Sequence, residues 1–232
     1  MEASWFKSER SSGLTGDLPI VVFLSFGRGN VTDGLQQSVM VKPGHPLNAR
    51  HQDTRRKKIV SALQLIDFTA WLTASKGFEF VMLATGGVVA PGFTVALNSA
   101  RKTDVSRAQG LDNWQAFDEQ RKQLLKIISD HVVIYPKTKV LLVSGDHHCA
   151  AMASITKGGD EIAKAVVVPP AYAPMRYASA TVGMLANTEK TGGYEINLTQ
   201  IPPPTEGSGF ALITIEKGDW IVNFKTMPVA DI

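Results

Sequence analysis

The sequence predicts an α/β fold: a partial two-layer or sandwich arrangement with a mixed sheet, helices, and an antiparallel carboxyl-terminal part. Three observations carry this. Between residues 55 and 143 apolar residues switch between a helical period and short β-branched runs, giving the order helix, strand, helix, strand. After residue 150 the pattern becomes short strands separated by glycine turns, the signature of antiparallel pairing. Between the two regimes, the run Lys139-Val-Leu-Leu-Val-Ser-Gly-Asp-His-His-Cys149 stops a buried strand abruptly at Gly145 and follows it with an acid and two imidazoles. Open α/β sheets place ligands at the carboxyl ends of their strands, so this stretch marks the place where chemistry is expected.

The elements follow in order. Residues 1–17 are polar and small and are expected to form a flexible lead-in, with one domain over 18–232. Leu18–Phe26 is a buried strand by its branched and aromatic content, and Gln37–Val41 is a second, edge strand. From about Arg55 to Lys76 the helical period places Ile59, Leu63, Ile66 and Ala70 on one stripe, with Val60 and Trp71 beside it and Gly77 as the stop. Phe78–Ala84 is a strand broken by Gly86-Gly87, and a long irregular stretch runs to Leu111. Asp112 is placed to cap a helix reaching about Val132 and burying Trp114, Phe117, Leu124, Leu125 and Ile128. Val140–Val143 is the strand before the Gly-Asp-His-His turn. Ala150–Thr156 and Ile162–Val168 form a hairpin about Gly158-Gly159. Gly193–Ile201, Phe210–Glu216 and Trp220–Lys225 are further strands, with Gly218-Asp219 as the last turn.

Composition narrows the function classes. With 44% hydrophobic and 19% charged residues the chain has the make-up of a globular domain, and a net charge of +3 does not argue for nucleic acid. The basic run Arg55-Arg-Lys-Lys58 lacks interleaved aromatics and reads as a solvated face. One cysteine, Cys149, excludes an internal disulfide and is best read as a small buried residue. The first ten residues carry charges where an export signal needs an apolar core, and no apolar run approaches the roughly 20 residues of a membrane span. As written, the chain is expected to be cytoplasmic, with no membrane and no nucleic-acid partner.

Asp146 and His148, two residues apart on one turn, can both reach one metal ion or one ion each of a pair. The plainer alternative is that Asp146 caps the turn and the imidazoles are solvated. Asp53-Thr-Arg55 opens the first helix with an acid and a fork-shaped cation, a pairing that suits an anion such as phosphate and equally suits an ordinary cap beside a solvated arginine. His45, His51 and His131 have no partner at ligand spacing. Gly29-Asn30 is not followed by the acid or imidazole that a ligand turn needs.

From Asp53 onward the ordered motifs resemble the carboxyl-terminal part of the PhoD-like metallophosphatases (alkaline phosphatase D type), within the calcineurin-like metallophosphoesterase superfamily. Asp53-Thr-Arg55 is similar to the family's Asp-Thr-Arg, and the helix closing in Trp71-Leu72 to its Gln-x-x-Trp-Leu helix, with Phe68 in place of the glutamine. Phe78–Pro91 resembles the strand and loop after that helix. Asp112-Asn-Trp114 with Arg121 and Leu124-Leu125 resembles the Asp-x-Trp helix, and Val140–His148 the Leu-Ser-Gly-Asp-x-His strand. Val168-Pro-Pro-Ala-Tyr-Ala-Pro174 with Tyr177-Ala178 resembles the Pro-Pro-x-Tyr-x-Pro segment.

The resemblance implies a partial calcineurin-like sandwich that hydrolyses a phosphate ester by metal-activated water. Its metal would be calcium, iron, zinc or manganese, divalent or trivalent. It assigns His148, Asp146 and Asp53 to the metal, and Asp146, His148 and Arg55 to catalysis, with Arg55 turned toward phosphate or the metals. His147 falls on a variable position. The family's Asp-x-His (or Gln or Cys) and Gly-Asp-x-x-Asp motifs should lie upstream of Asp53 and are not found there, and Gly16-Asp17 is followed by Leu-Pro-Ile. The expectation is therefore an incomplete hydrolase domain: a fragment, a truncated product, or a degenerate scaffold that binds a partner or anion without catalysis.

Overall fold

The computed structural model describes residues 20–25, 60, 62–92, 114–145, 149–169, 185–201 and 208–227, the first of these by backbone alone. Its elements are β1 (Ile20–Ser25), α1 (Ala62–Ala74), β2 (Phe80–Thr85), a 3-10 turn (Trp114–Phe117), α2 (Asp118–Ile134), β3 (Lys139–Ser144), β4 (Ala151–Lys157), β5 (Asp160–Val167), β6 (Thr188–Thr191), β7 (Tyr194–Gln200), β8 (Ser208–Glu216) and β9 (Asp219–Met227). The class is α/β with a mixed sheet, as the sequence suggests. Seven strands form one sheet in the order β1-β2-β3-β5-β4-β7-β6, and β8-β9 make a separate ribbon.

The first four strands in that order, β1, β2, β3 and β5, are mutually parallel. Parallel strands are buried on both faces and read as nearly continuous apolar runs, which is how Phe80-Val-Met-Leu-Ala and Val140-Leu-Leu-Val read. Both glycine-rich turns of the other half take positive φ, at Gly158-Gly159 and Gly192-Gly193, the geometry that tight hairpins demand and only glycine adopts without strain. The first joins β4 to β5 and the second joins β6 to β7. Strand β6, over Thr188-Glu-Lys-Thr191, has no apolar alternation and was not legible beforehand.

The two faces of the sheet are covered differently. On one, Val81, Leu83, Val140, Leu142, Ala165 and Ile196 pack with helix residues Phe68, Leu72, Leu124, Leu125 and Ile128. On the other, Phe80, Leu141 and Val166 meet Trp220 and Val222 of the ribbon, with Ala211, Ile213 and Phe224 alongside. Trp220 meets Phe80 edge-on at 5.3 Å and donates its indole N–H to the Lys139 carbonyl at 3.2 Å. Lys164 of β5 pairs with Asp219 at the start of β9. The molecule is thus layered helices, sheet, ribbon.

Four expectations need correction. The first helix does not run unbroken from about Arg55: Val60 lies in a bend and α1 begins at Ala62. The stripe Leu63–Ile66–Ala70 is not the inward face of α1: Leu63 is 70% and Ile66 60% exposed, and the buried positions are Phe68, Trp71 and Leu72. Two faces of this short helix carry apolar residues, and period alone ranks neither. The second helix begins at Asp118 after a 3-10 turn, with Phe117 at its N-cap and no side-chain cap bond; Asp112 lies outside the described residues. Its expected core residues are all buried. The last hairpin turns on Lys217-Gly218, both at positive φ, and Asp219 already belongs to β9. The proposed strand at 37–41 lies outside the described residues, and so does the lead-in at 1–17.

Candidate functional site

The four parallel strands end level. Ser25 is in register with Thr85, Thr85 with Ser144, and Ser144 with Val167, so one carboxyl rim is formed by four strand ends. β3 lies inside the sheet with β2 and β5 as neighbours, and Gly145 leaves it at that rim. The chain re-enters the sheet at β4, which lies beyond β5. The connection from Gly145 to Ala150 therefore joins strands two positions apart, a span of about 10 Å at the usual strand spacing.

Both ends of this connection are anchored. The Ser144 hydroxyl donates to the Val166 carbonyl at 3.3 Å, and the Ser144 carbonyl accepts the Val168 N–H at 2.7 Å. At the other end Cys149 is wholly buried and shares an apolar cluster with Val88, Ala151, Val167 and Leu185. Burial pushes the Cys149 thiol up to about 12, so it stays protonated near neutral pH and does not act as a thiolate nucleophile. A small buried residue is what the sequence suggested there.

A second connection borders the same rim. After Thr85, residues Gly86–Gly92 form a strap whose Val88, Val89 and Ala90 are buried. Trp114 ties it twice over: its backbone N–H donates to the Val88 carbonyl at 3.0 Å, and its indole N–H donates to the Thr85 hydroxyl at 3.3 Å. The far end is held by the Ala186 N–H, which donates to the Gly92 carbonyl at 2.8 Å. A side chain at Gly92 would sit 2.2 Å from a Glu189 carboxylate oxygen, so only glycine fits against that group.

Glu189 in turn meets Arg121 through two parallel bonds of 2.8 Å, with both side chains buried. This bidentate geometry suits guanidinium and carboxylate, and it links α2 to β6 beneath the strap. The Arg121 Nε has no hydrogen-bond partner among the described residues. Gln120 supplies a further link, pairing with both the N–H and the carbonyl of Val60 at 3.2 and 2.8 Å.

Asp146, His147 and His148 lie outside the described residues, as do Asp53 and Arg55; the covalent neighbours of the tripeptide, Gly145 and Cys149, are on the rim. Among the described residues no group of three His, Cys, Asp or Glu side chains could hold a metal ion. The described rim offers two hydroxyls and a protonated thiol, which do not fit a divalent metal by themselves. Arg121, which the resemblance sets on the Asp-x-Trp helix, is salt-bridged and buried. The Thr85–Trp114 bond and Glu189 were not foreseen. The Asp-Asn-Trp motif pointed to the tryptophan, while a lone glutamate in a short polar strand gives no signal.

No helix among the described residues is long and apolar enough to cross a membrane. Compared with known proteins, the chain matches no protein-family model and no curated protein.

Proposed function

We propose that the carboxyl rim is the site of a phosphoesterase-like domain of the PhoD type, built on part of a calcineurin-like sandwich. The observation that carries this reading is the placement of Gly145. An interior strand of a parallel array ends at Gly145 on the rim where α/β sheets bind ligands, and Asp-x-His follows Gly145 in the sequence. Asp146 and His148, with Asp53, would hold the metal, and Arg55 would steady the phosphate. When bound, such a metal supplies a hydroxide nucleophile at neutral pH and shields the charge of the phosphate. The chain's own contribution is to fix the two ends of the 145–150 connection, Ser144 against β5 and Cys149 in its apolar cluster.

The test is metal content and turnover on the whole chain. After equilibration with Mn²⁺ or Zn²⁺ and removal of free ion, the reading expects stoichiometric metal, hydrolysis of an aryl phosphate, and loss of at least about tenfold in metal affinity on His148→Asn or Asp146→Asn. Less than about a tenth of an equivalent of metal, together with no turnover, sinks it and leaves a non-catalytic scaffold as the better description.

A further inference from the structure

We infer that Trp114 is a positioning residue that holds the 86–92 strap in fixed relation to the described ends of the neighbouring rim connection, Ser144-Gly145 and Cys149-Ala150. The inference rests on the reading of the rim as the site and adds a residue to which the resemblance gives no role there. Trp114 is 3% exposed and sits outside the sheet, at the start of the 3-10 turn. Its indole N–H ends on Thr85, the last residue of β2, in register with Ser144, the last residue of β3. Thr85 and Ser144 fall on the helix-covered face, since Val81 and Leu83 of β2 and Val140 and Leu142 of β3 all pack into the helix-side core. Its backbone N–H ends on the Val88 carbonyl, and Val88 lies in the apolar cluster that buries Cys149.

One residue therefore bears on both connections. Through Thr85 it pins the strand end beside Ser144, where the 145–150 connection begins. Through Val88 it sets one wall of the cluster that receives Cys149, where that connection ends. Ser144 is itself secured to β5, so the Val88 side is the end whose placement depends on the strap. Releasing Trp114 should loosen both connections together, although the second is remote from it in sequence.

The experiment is hydrogen exchange on the full chain carrying Thr85→Val or Trp114→Phe. The first removes the acceptor of the indole bond and the second keeps a ring but no donor. Peptides covering 86–92 and 145–153 should both exchange about tenfold faster than in the wild type, beyond what the change in global stability of the same variant accounts for. Thr85→Ser, which restores the acceptor, should return both to wild-type rates. Trp114→Phe carries the test if Thr85→Val does not fold. Acceleration confined to 86–92, or acceleration that merely tracks global stability, overturns the inference. Mn²⁺ titration of the same proteins separates the two readings. A wild type that binds no Mn²⁺ removes the phosphoesterase assignment, while the exchange data still judge the positioning role.

Discussion

Arg121 carries a charge into the core because Glu189 meets both of its terminal nitrogens at 2.8 Å. Removing one partner of such a pair leaves a buried charge uncompensated, which is why neither residue can be changed alone without loss. His131 poses the opposite problem. It is 6% exposed in the last turn of α2, rests against the Tyr135 ring at 4.8 Å, and its Nε2 has no hydrogen-bond partner among the described residues. Burial pushes its pKa below the ordinary histidine value. The unfolded chain therefore binds this proton at a higher pH than the folded one, and stability falls as pH drops from about 6.5 toward the lowered folded value. Asp118 and Asp219 behave likewise at lower pH. Burial raises each of them, but hydrogen bonds from Lys122 and Thr191 in one case, and from Lys164 and the Trp220 N–H in the other, outweigh it. Urea unfolding between pH 7.5 and 5.5 should show stability decreasing with acidity in the wild type and a flatter profile in His131→Phe. Equal slopes in the two would reject this account.

At the scale of the element, α1 is the instructive case. Its sequence offers an apolar stripe at Leu63, Ile66 and Ala70 and another at Phe68, Trp71 and Leu72, and the sheet takes the second. Phe68 and Trp71 stack at 5.9 Å, and the Ser75 hydroxyl returns to the Trp71 carbonyl at 2.8 Å, so the buried face is stiffened from within. The two faces should respond differently to substitution. Leu72→Ala should cost about 2–5 kcal/mol by cavity formation. Leu63→Gln should stay within about 0.5 kcal/mol, as exposed substitutions do. Chemical denaturation of the two variants measures this, and a large loss at Leu63 with little at Leu72 would reverse the assignment. Strand β8 holds a similar constraint: a Cβ at Gly209 would lie 2.5 Å from the Lys225 carbonyl oxygen of the paired strand, so this position admits only glycine.

On the scale of the whole molecule, the ribbon β8-β9 covers the face of the sheet that the helices leave open. Phe80, Leu141 and Val166 have Trp220 and Val222 as their cover, and the Lys164–Asp219 pair with the Trp220–Lys139 bond fastens its hairpin end. Ending the chain after Ile201 would turn this apolar face to water. That truncated form should bind a hydrophobic dye and lose its cooperative thermal transition. A sharp melt within about 3 °C of the full chain would show that the ribbon is dispensable. The strand order adds a second non-local feature, because β5 fills the gap between β3 and β4 after the chain has already passed beyond it.

Much of this architecture was legible from residue order. The β-branched runs at 80–85 and 139–144, the helical period at 118–134 and the paired glycines at 158–159 are local signals, since backbone preference and side-chain period act over a few residues. The strand that ends in Gly145 could be placed at a rim for the same reason. Contact across the chain was not legible. Which face of α1 turns inward, that Arg121 meets a glutamate 68 positions away, and that one tryptophan links two connections are settled by which surfaces meet when the sheet assembles. A helix with two apolar faces is locally degenerate, and a lone glutamate in a polar strand has no local signature. The sequence alone determined the kinds of element and which residues follow one strand end at the rim; only the tertiary structure decided the partners, because burial and pairing energies depend on residues that are distant along the chain.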